Sequence, residues 1–300
     1  MPHFVIMLLL ALFSCVPFLT TAQTTTELQI NPQFPKAGET ATASFPVNMG
    51  GIIGGEIKWF INGVEKTSFK NNRSISFTVN RDETTQLRAE VTSHNGEETL
   101  YEKTISPVRV DILVNTDTLV PNFYKGRPLP VSGSQITATA LVFENTIKST
   151  GEYLYLWEVD NKQQNNDPTR TSNTITFSPK YESQKRVSVT VLDSSGRAIA
   201  KESVLIPIAH SELHFYEVNP LKGQSPIALK ENDFFVGEEM TVKAQPYYIN
   251  ASPENMTTQW KVDGKKVTAS SNPLELNIRK LTEIGSVYLS FSLFNKKGFI

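Results

Sequence analysis

The chain has 300 residues, of which 39% are hydrophobic and 20% are charged, and its formal net charge is −1. This balance excludes a disordered chain, which combines low hydrophobicity with high net charge. It also predicts no nucleic-acid partner, because such a surface needs clustered Lys and Arg.

The first 22 residues have the features of an export signal. Residues 4–12 are an unbroken apolar run, and the small residues Thr20-Thr21-Ala22 precede a polar stretch. This pattern predicts a signal peptide over residues 1–22 and an exported protein, extracellular or at the cell-envelope surface. An uncleaved N-terminal membrane anchor is the alternative, although the run is short for a span of ~20 residues and Pro17 interrupts it.

The only cysteine of the chain, Cys15, lies inside this segment. A mature chain cleaved after residue 22 would therefore have no disulfide framework. The stretch Leu12-Phe13-Ser14-Cys15 loosely resembles a bacterial lipobox, so a lipoprotein is a further alternative. The sequence has no second apolar run of ~18 residues, and we expect no membrane span after the signal segment.

Three tryptophans mark three copies of one sequence unit. Trp59, Trp157 and Trp260 each begin the same short pattern, which is Trp, any residue, Ile or Val, Asp or Asn, then Gly or Asn. They lie about 100 residues apart, and a period of this kind indicates tandem copies of one structural unit.

Each copy contains predicted strands in the same order. A strand that alternates apolar with small polar residues precedes each tryptophan, and a short and a longer strand follow it. The strands before the tryptophans are residues 41–45, 136–140 and 240–244. The strands after them are residues 75–79 and 87–91, 175–177 and 187–191, and 274–278 and 287–291.

A turn that contains a glycine ends each of the longer strands. The glycines are Gly96, Gly196 and Gly298. Glycine suits these turns because it adopts positive φ without strain. In the first two copies a last strand leaves the turn, over residues 99–105 and 198–206, whereas only two residues follow Gly298.

Short strands at regular spacing, with turn signals between them, predict an all-β fold of tandem antiparallel β-sandwiches. We place the sandwiches at residues 27–106, 107–208 and 209–300, and we predict that the third lacks its last strand. The tryptophans are predicted to fill the cores between the sheets, and an exposed aromatic platform for sugar is the alternative.

Two segments of the second copy have a characteristic sequence. Residues 153–161 are Tyr-Leu-Tyr-Leu-Trp-Glu-Val-Asp-Asn, and residues 189–196 are Val-Thr-Val-Leu-Asp-Ser-Ser-Gly. They resemble the PKD (polycystic kidney disease) repeats of the bacterial immunoglobulin-like superfamily, which have a Tyr-x-Trp-x-Phe-Gly-Asp-Gly strand and turn and a Val-Thr-Val-x-Asp-x-x-Gly ending. The resemblance covers nearly all of the mature chain. It implies immunoglobulin-like modules that are extracellular and serve for spacing and binding, usually without catalysis of their own.

The sequence shows no constellation of residues that would carry catalysis or hold a cofactor. His210 and His214 have no third ligand in register, which argues against a zinc site. The glycine-rich residues 50–55 fit neither nucleotide-binding pattern. Asp160 and Asp263 follow the tryptophan strands, where hydrogen bonding within a tight turn explains them better than calcium binding does. We therefore expect no enzyme, no cofactor and no metal.

These features favour a non-enzymatic exported modular protein, used as a spacer or an adhesion module at the cell surface. Its partner would be a protein or a carbohydrate there. Two alternatives stay open from the sequence alone. The copies could be accessory modules of a longer exported hydrolase, or the chain could be a subunit of a pilus or secretion assembly.

Overall fold

The computed structural model describes residues 27–45, 55–80, 83–144, 153–164, 172–231, 233, 238–251, 255–279 and 286–295. The predicted signal segment, the lipobox-like stretch and the turn at Gly298 lie outside these residues. Within them there is no α-helix, and no helix is long and apolar enough to cross a membrane.

The first module is formed by seven strands in two antiparallel sheets. In chain order they are β1 Gln29–Asn31, β2 Thr40–Ser44, β3 Glu56–Ile61, β4 Val64–Glu65, β5 Ser74–Thr78, β6 Thr85–Thr92 and β7 Glu98–Ile105. One sheet has the order β1-β2-β5 and the other has the order β4-β3-β6-β7.

The second module repeats this arrangement. Its strands are β8 Val108–Thr116, β9 Ile136–Glu144, β10 Leu154–Val159, β11 Lys162–Gln163, β12 Thr174–Phe177, β13 Gln184–Leu192 and β14 Ala198–Pro207. The sheets have the orders β12-β9-β8 and β11-β10-β13-β14. The last strands of the first two modules, β7 and β14, lie where the sequence predicts them.

The third module departs from the other two at both edges. Its strands are β15 Glu212–Asn219, β16 Gly223–Ala228, β17 Glu239–Tyr247, β18 Met256–Val262, β19 Lys265–Val267, β20 Glu275–Arg279 and β21 Leu289–Asn295. The sheets have the orders β16-β15-β17-β20 and β19-β18-β21. An additional strand, β16, extends the first sheet. Among the described residues, β21 pairs with β18 alone.

Alternating side chains build the core of each module. In β2, for example, Ala41 and Ala43 are buried while Thr40 faces water, because successive strand residues point to opposite faces. Each of the three tryptophans lies in the apolar core of its own module.

The prediction of an all-β chain with tandem sandwiches is confirmed. The sheets fall within the predicted ranges, but the chain divides into two compact units, one with β1–β7 and one with β8–β21. The limits of three independent domains therefore stay a prediction.

Candidate functional site

The three tryptophans have the surroundings of core residues. Trp59, Trp157 and Trp260 have exposed fractions of 0%, 1% and 1%. Each indole Nε1 donates to a backbone carbonyl that lies 13 to 15 residues later in the chain. The acceptors are Asn72 at 2.9 Å, Ser172 at 3.3 Å and Pro273 at 3.1 Å. A sugar platform needs an exposed ring face, which these buried rings do not offer.

A tight turn follows each tryptophan strand, and its first residue has a left-handed backbone. These residues are Asn62, Asp160 and Asp263, with φ of 51°, 49° and 48°. The next residue also has positive φ, which is the conformation of a type I′ hairpin turn. Asn, Asp and Gly tolerate this region, which explains the residue types that recur in the sequence.

The side chain of the turn residue also accepts a backbone N–H from the next long strand or, in the third module, from the residue just before that strand. Oδ1 of Asn62, Asp160 and Asp263 accepts the backbone N–H of Gln86, Arg186 and Tyr288, at 2.8 to 3.0 Å. We call this repeated contact the Asx clamp. The clamp includes Asp160 and Asp263, the two carboxylates for which calcium binding is the alternative role. Among the described residues, no group of three or more His, Cys, Asp or Glu side chains could hold a metal ion.

Two of the predicted turn glycines have the backbone that their role requires. Gly96 has φ of 83° and Gly196 has φ of 80°. In the second of these turns the Asp193 carboxylate accepts the Ser195 hydroxyl at 2.6 Å and two backbone N–H groups. It also accepts the Arg197 guanidinium. The Ser195 hydroxyl is the main cause that lowers the pKa of Asp193 to about 2.

The Asp193 turn is expected to stabilise the chain at neutral pH and to stop doing so in acid. The pKa of Asp193 falls on folding from its ordinary 3.8 to about 2. Its contribution is therefore present above pH ~4 and is lost as the pH falls through about 2. The measurement is urea unfolding of the parent and of Asp193→Asn at several pH values. The stability difference between them should shrink toward pH ~2, and a constant difference would contradict the assignment.

A loop of the second module contacts the third module. Residues 117–131, between β8 and β9, lie against the third module, and we call them the bridging loop. The loop is closed at its base, where Asp117 Oδ1 accepts the N–H of Gln135 at 2.8 Å. The Thr118 hydroxyl donates to the Leu129 carbonyl, also at 2.8 Å, and so joins the two arms.

The bridging loop pairs with the backbone on both sides of the junction. Leu119 and Ile249 exchange two N–H···O bonds of 2.9 and 3.1 Å, as a short antiparallel bridge. On the other arm, the Pro130 carbonyl accepts the N–H of Ala209 at 2.8 Å. Ala209 belongs to the short connection between β14 and β15, so both ends of the loop are fixed.

Tyrosines fill the space under the bridging loop. Tyr216, Tyr247 and Tyr248 are buried, with exposed fractions of 7%, 8% and 8%. The Tyr216 and Tyr247 hydroxyls lie 2.8 Å apart, and so do those of Tyr124 and Tyr248. Phe123 makes edge-to-face contacts with Tyr216 and Tyr247 at ring-centre distances of 6.0 and 6.5 Å. The buried tyrosines, together with Val131 and the partly buried Tyr124, form a separate, smaller apolar cluster between the modules.

Two tyrosine hydroxyls at the junction have pKa values above the ordinary value of a phenol. The hydrogen bond with Tyr124 and burial raise the pKa of Tyr248 to about 12. Burial is the main cause that raises the pKa of Tyr247 above its usual range. A phenol of ordinary pKa is already neutral at physiological pH, so the upward shifts extend the pH range over which these hydroxyls keep their hydrogen bonds toward alkaline pH.

The sequence carried one signal for this junction. In β15 the inward Phe215 joins the third core, yet the next residue, Tyr216, is also large and apolar in body. A strand with large apolar residues on both faces is typical of a sheet that is covered on both sides.

The outer face of β8 and β9 in the second module is the candidate contact surface. Leu113, Leu141 and Phe143 have exposed fractions of 37%, 41% and 43%. The Arg109 guanidinium lies 4.3 Å from the centre of the Phe143 ring and 3.2 Å from Asp111. A mixed apolar and charged face of this kind suits weak association with another macromolecule.

A three-stranded and a four-stranded antiparallel sheet per module define the class of immunoglobulin-like and fibronectin type III sandwiches. No protein-family model and no curated protein matches the chain. Similarities were found to solved structures.

The chain is similar to the fibronectin(III)-like modules of CbhA from Clostridium thermocellum. The identity is 14% and the TM-score 0.29, over 60% of this chain and 93% of that one. It is similar to the central fibronectin-III array of RIM-binding protein, with 14% identity and a TM-score of 0.28 over 90% of each chain. It is also similar to a structure of a 1.5-MDa bacterial ice-binding adhesin, with 14% identity and a TM-score of 0.22 over 86% of this chain and 89% of that one.

Proposed function

We propose that the chain is an exported, non-enzymatic modular protein that serves as a spacer and interaction module at the cell surface. The packed junction between the second and third modules carries this proposal. A spacer has to hold its modules at a fixed separation, and two backbone attachments with a tyrosine core between them do so. A flexible Gly/Ser-rich linker would leave the separation to chance.

The use of the recurring polar residues supports the same proposal. Each indole N–H and each turn carboxylate or amide that repeats between modules is hydrogen-bonded to the backbone of its own module. These groups therefore stabilise the fold. We further infer that the modules are of the PKD type, on the strength of the strand and turn at residues 153–161 and the ending at residues 189–196.

The partner is proposed to be a protein or a carbohydrate at the cell surface. The face around Phe143 and Arg109 is the surface that we assign to this contact, because it combines exposed apolar area with a charged group. Residues 1–22 supply the route of export.

The location is tested by treating intact cells that express the full chain with a protease. We expect all three modules to be accessible, and we expect a variant that lacks residues 2–22 to be protected inside the cell. A cytoplasmic enzyme serves as the control for cell integrity. Protection of the full chain in intact cells would contradict export.

A further inference from the structure

The bridging loop belongs structurally to the second module but covers the third. It leaves the end of β8 and returns to β9, and its base is closed by the bonds of Asp117 and Thr118 described above. None of these bonds involves the third module. The second module therefore holds the loop in shape by its own contacts.

The surface that the loop covers is the outer face of the first sheet of the third module. Along β17, Val242 and Ala244 face the inner core, and Tyr247 belongs to the junction cluster. Along β15, Phe215 faces inward and Tyr216 outward. The tyrosines lie on a sheet face that would meet water if the loop were displaced.

The contacts fix orientation as well as distance. One arm of the loop is bonded to Ile249, beyond the end of β17, and the other arm is bonded to Ala209, before β15 begins. Two separate attachments oppose rotation, and the rings between them exclude water. The Tyr124 ring contacts Tyr247 and Tyr248 at ring-centre distances of 5.7 and 5.9 Å, so its removal takes packing away from both.

We propose that the bridging loop is a latch that makes the second and third modules one rigid and cooperative unit. The stability of the third module then depends on a loop of the second. The inference deepens the proposed spacer role and rests on it for its biological purpose. The rigidity itself can be measured whether or not the chain is exported.

The test uses the full chain with Tyr124→Ala, which removes a ring of the loop and leaves both sandwiches unaltered. Hydrogen exchange is measured in β15 and β17, with β3 and β6 of the first module as internal references, because these two strands belong to the other compact unit. We expect exchange in β15 and β17 to become about 10- to 100-fold faster, and exchange in β3 and β6 to stay unchanged. The matched control is Tyr181→Ala, because Tyr181 is 99% exposed in the same unit and should change nothing.

A second measurement reports orientation. Spin labels at Thr176→Cys and Lys266→Cys, both exposed positions, give the distance between the two modules in a chain that also carries Cys15→Ser. The parent should give one narrow distance distribution and Tyr124→Ala a broad one. The milder Tyr124→Phe, which removes only the hydroxyl bonded to Tyr248, should lie between them.

The latch is overturned if Tyr124→Ala leaves both the exchange rates and the distance distribution as they are in the parent. It is also overturned if the parent itself gives a broad distribution. Failure of export in the protease experiment, with a narrow distribution retained, would remove the proposed function and leave the latch in place.

Discussion

Replacing Trp59 with alanine is expected to lower the free energy of unfolding of the first module by about 3–5 kcal/mol. The ring is fully buried, and it contacts Phe45 at a ring-centre distance of 5.1 Å. Alanine leaves a large apolar cavity, and it also leaves the Asn72 carbonyl without the indole N–H. Urea unfolding measures the loss, and hydrogen exchange in β3 and β6 assigns it to the first module.

Two control variants separate the causes of this loss. Trp59→Phe keeps most of the apolar volume and removes the N–H, so it should cost clearly less than the alanine change. Val64→Ala alters a side chain that is 59% exposed in the same module and should stay within about 0.5 kcal/mol of the parent. An alanine variant at position 59 as stable as the parent would show that the indole is not a core residue.

Trp260→Ala is expected to leave the third module unfolded at room temperature while the first module stays folded. The free energy of unfolding should fall by the same amount as at Trp59. Trp260 is equally buried, and it packs against Phe291 at a ring-centre distance of 4.8 Å. The third module is expected to have a smaller free energy of unfolding to begin with, because the rest of its core is less well buried. A typical domain has only about 5–15 kcal/mol in total.

Equivalent strands in the second and third modules show the difference in coverage. Val187 and Val191 of β13 are fully buried, between β10 and β14. Their counterparts in β21, Leu289 and Leu293, are only partly buried. Among the described residues β21 pairs with β18 alone, and these two leucines of β21 keep part of their surface in contact with water.

Hydrogen exchange of the full chain measures this second effect. We expect complete exchange in β18, β20 and β21 of Trp260→Ala, with unchanged protection in β3 and β6. Trp260→Phe is the matched variant and should retain partial protection. If β18 and β21 remain protected in the alanine variant, the third core must have a larger margin of stability than its burial indicates.

The repeated unit could be predicted because its signals are local. The alternation in residues 41–45 predicts β2, and the Trp pattern predicts the central strand and the turn after it, since both depend on neighbouring residues. The clamp partner of each turn was not predicted. Asn62 and Gln86 are 24 residues apart, and no local pattern joins them.

The sequence does not predict the junction between the second and third modules, because the residues that meet there are even further apart along the chain. Tyr124 and Tyr248 are 124 residues apart, and a single sequence offers no measure of such a pairing. The bridging loop contains Pro121 and Gly126, which are typical of a linker, so its composition predicts a connection and its packing stays hidden. Strand β16 was also missed, because Pro226 within it is typical of an edge or a loop.

The Asx clamp has a consequence for the chemical ageing of the chain. In the first module the clamp residue is followed by glycine, and Asn-Gly is the pair in which asparagine most readily loses its amide nitrogen. Conversion of Asn62 to ordinary aspartate would keep the Oδ1 acceptor for the Gln86 N–H and add one negative charge. The other two modules already carry aspartate there, at Asp160 and Asp263, in the same backbone conformation. Hydrolysis to the normal product would thus give the first module the residue of its two neighbours. The isomeric product would insert an extra carbon in the main chain and displace the clamp from β6.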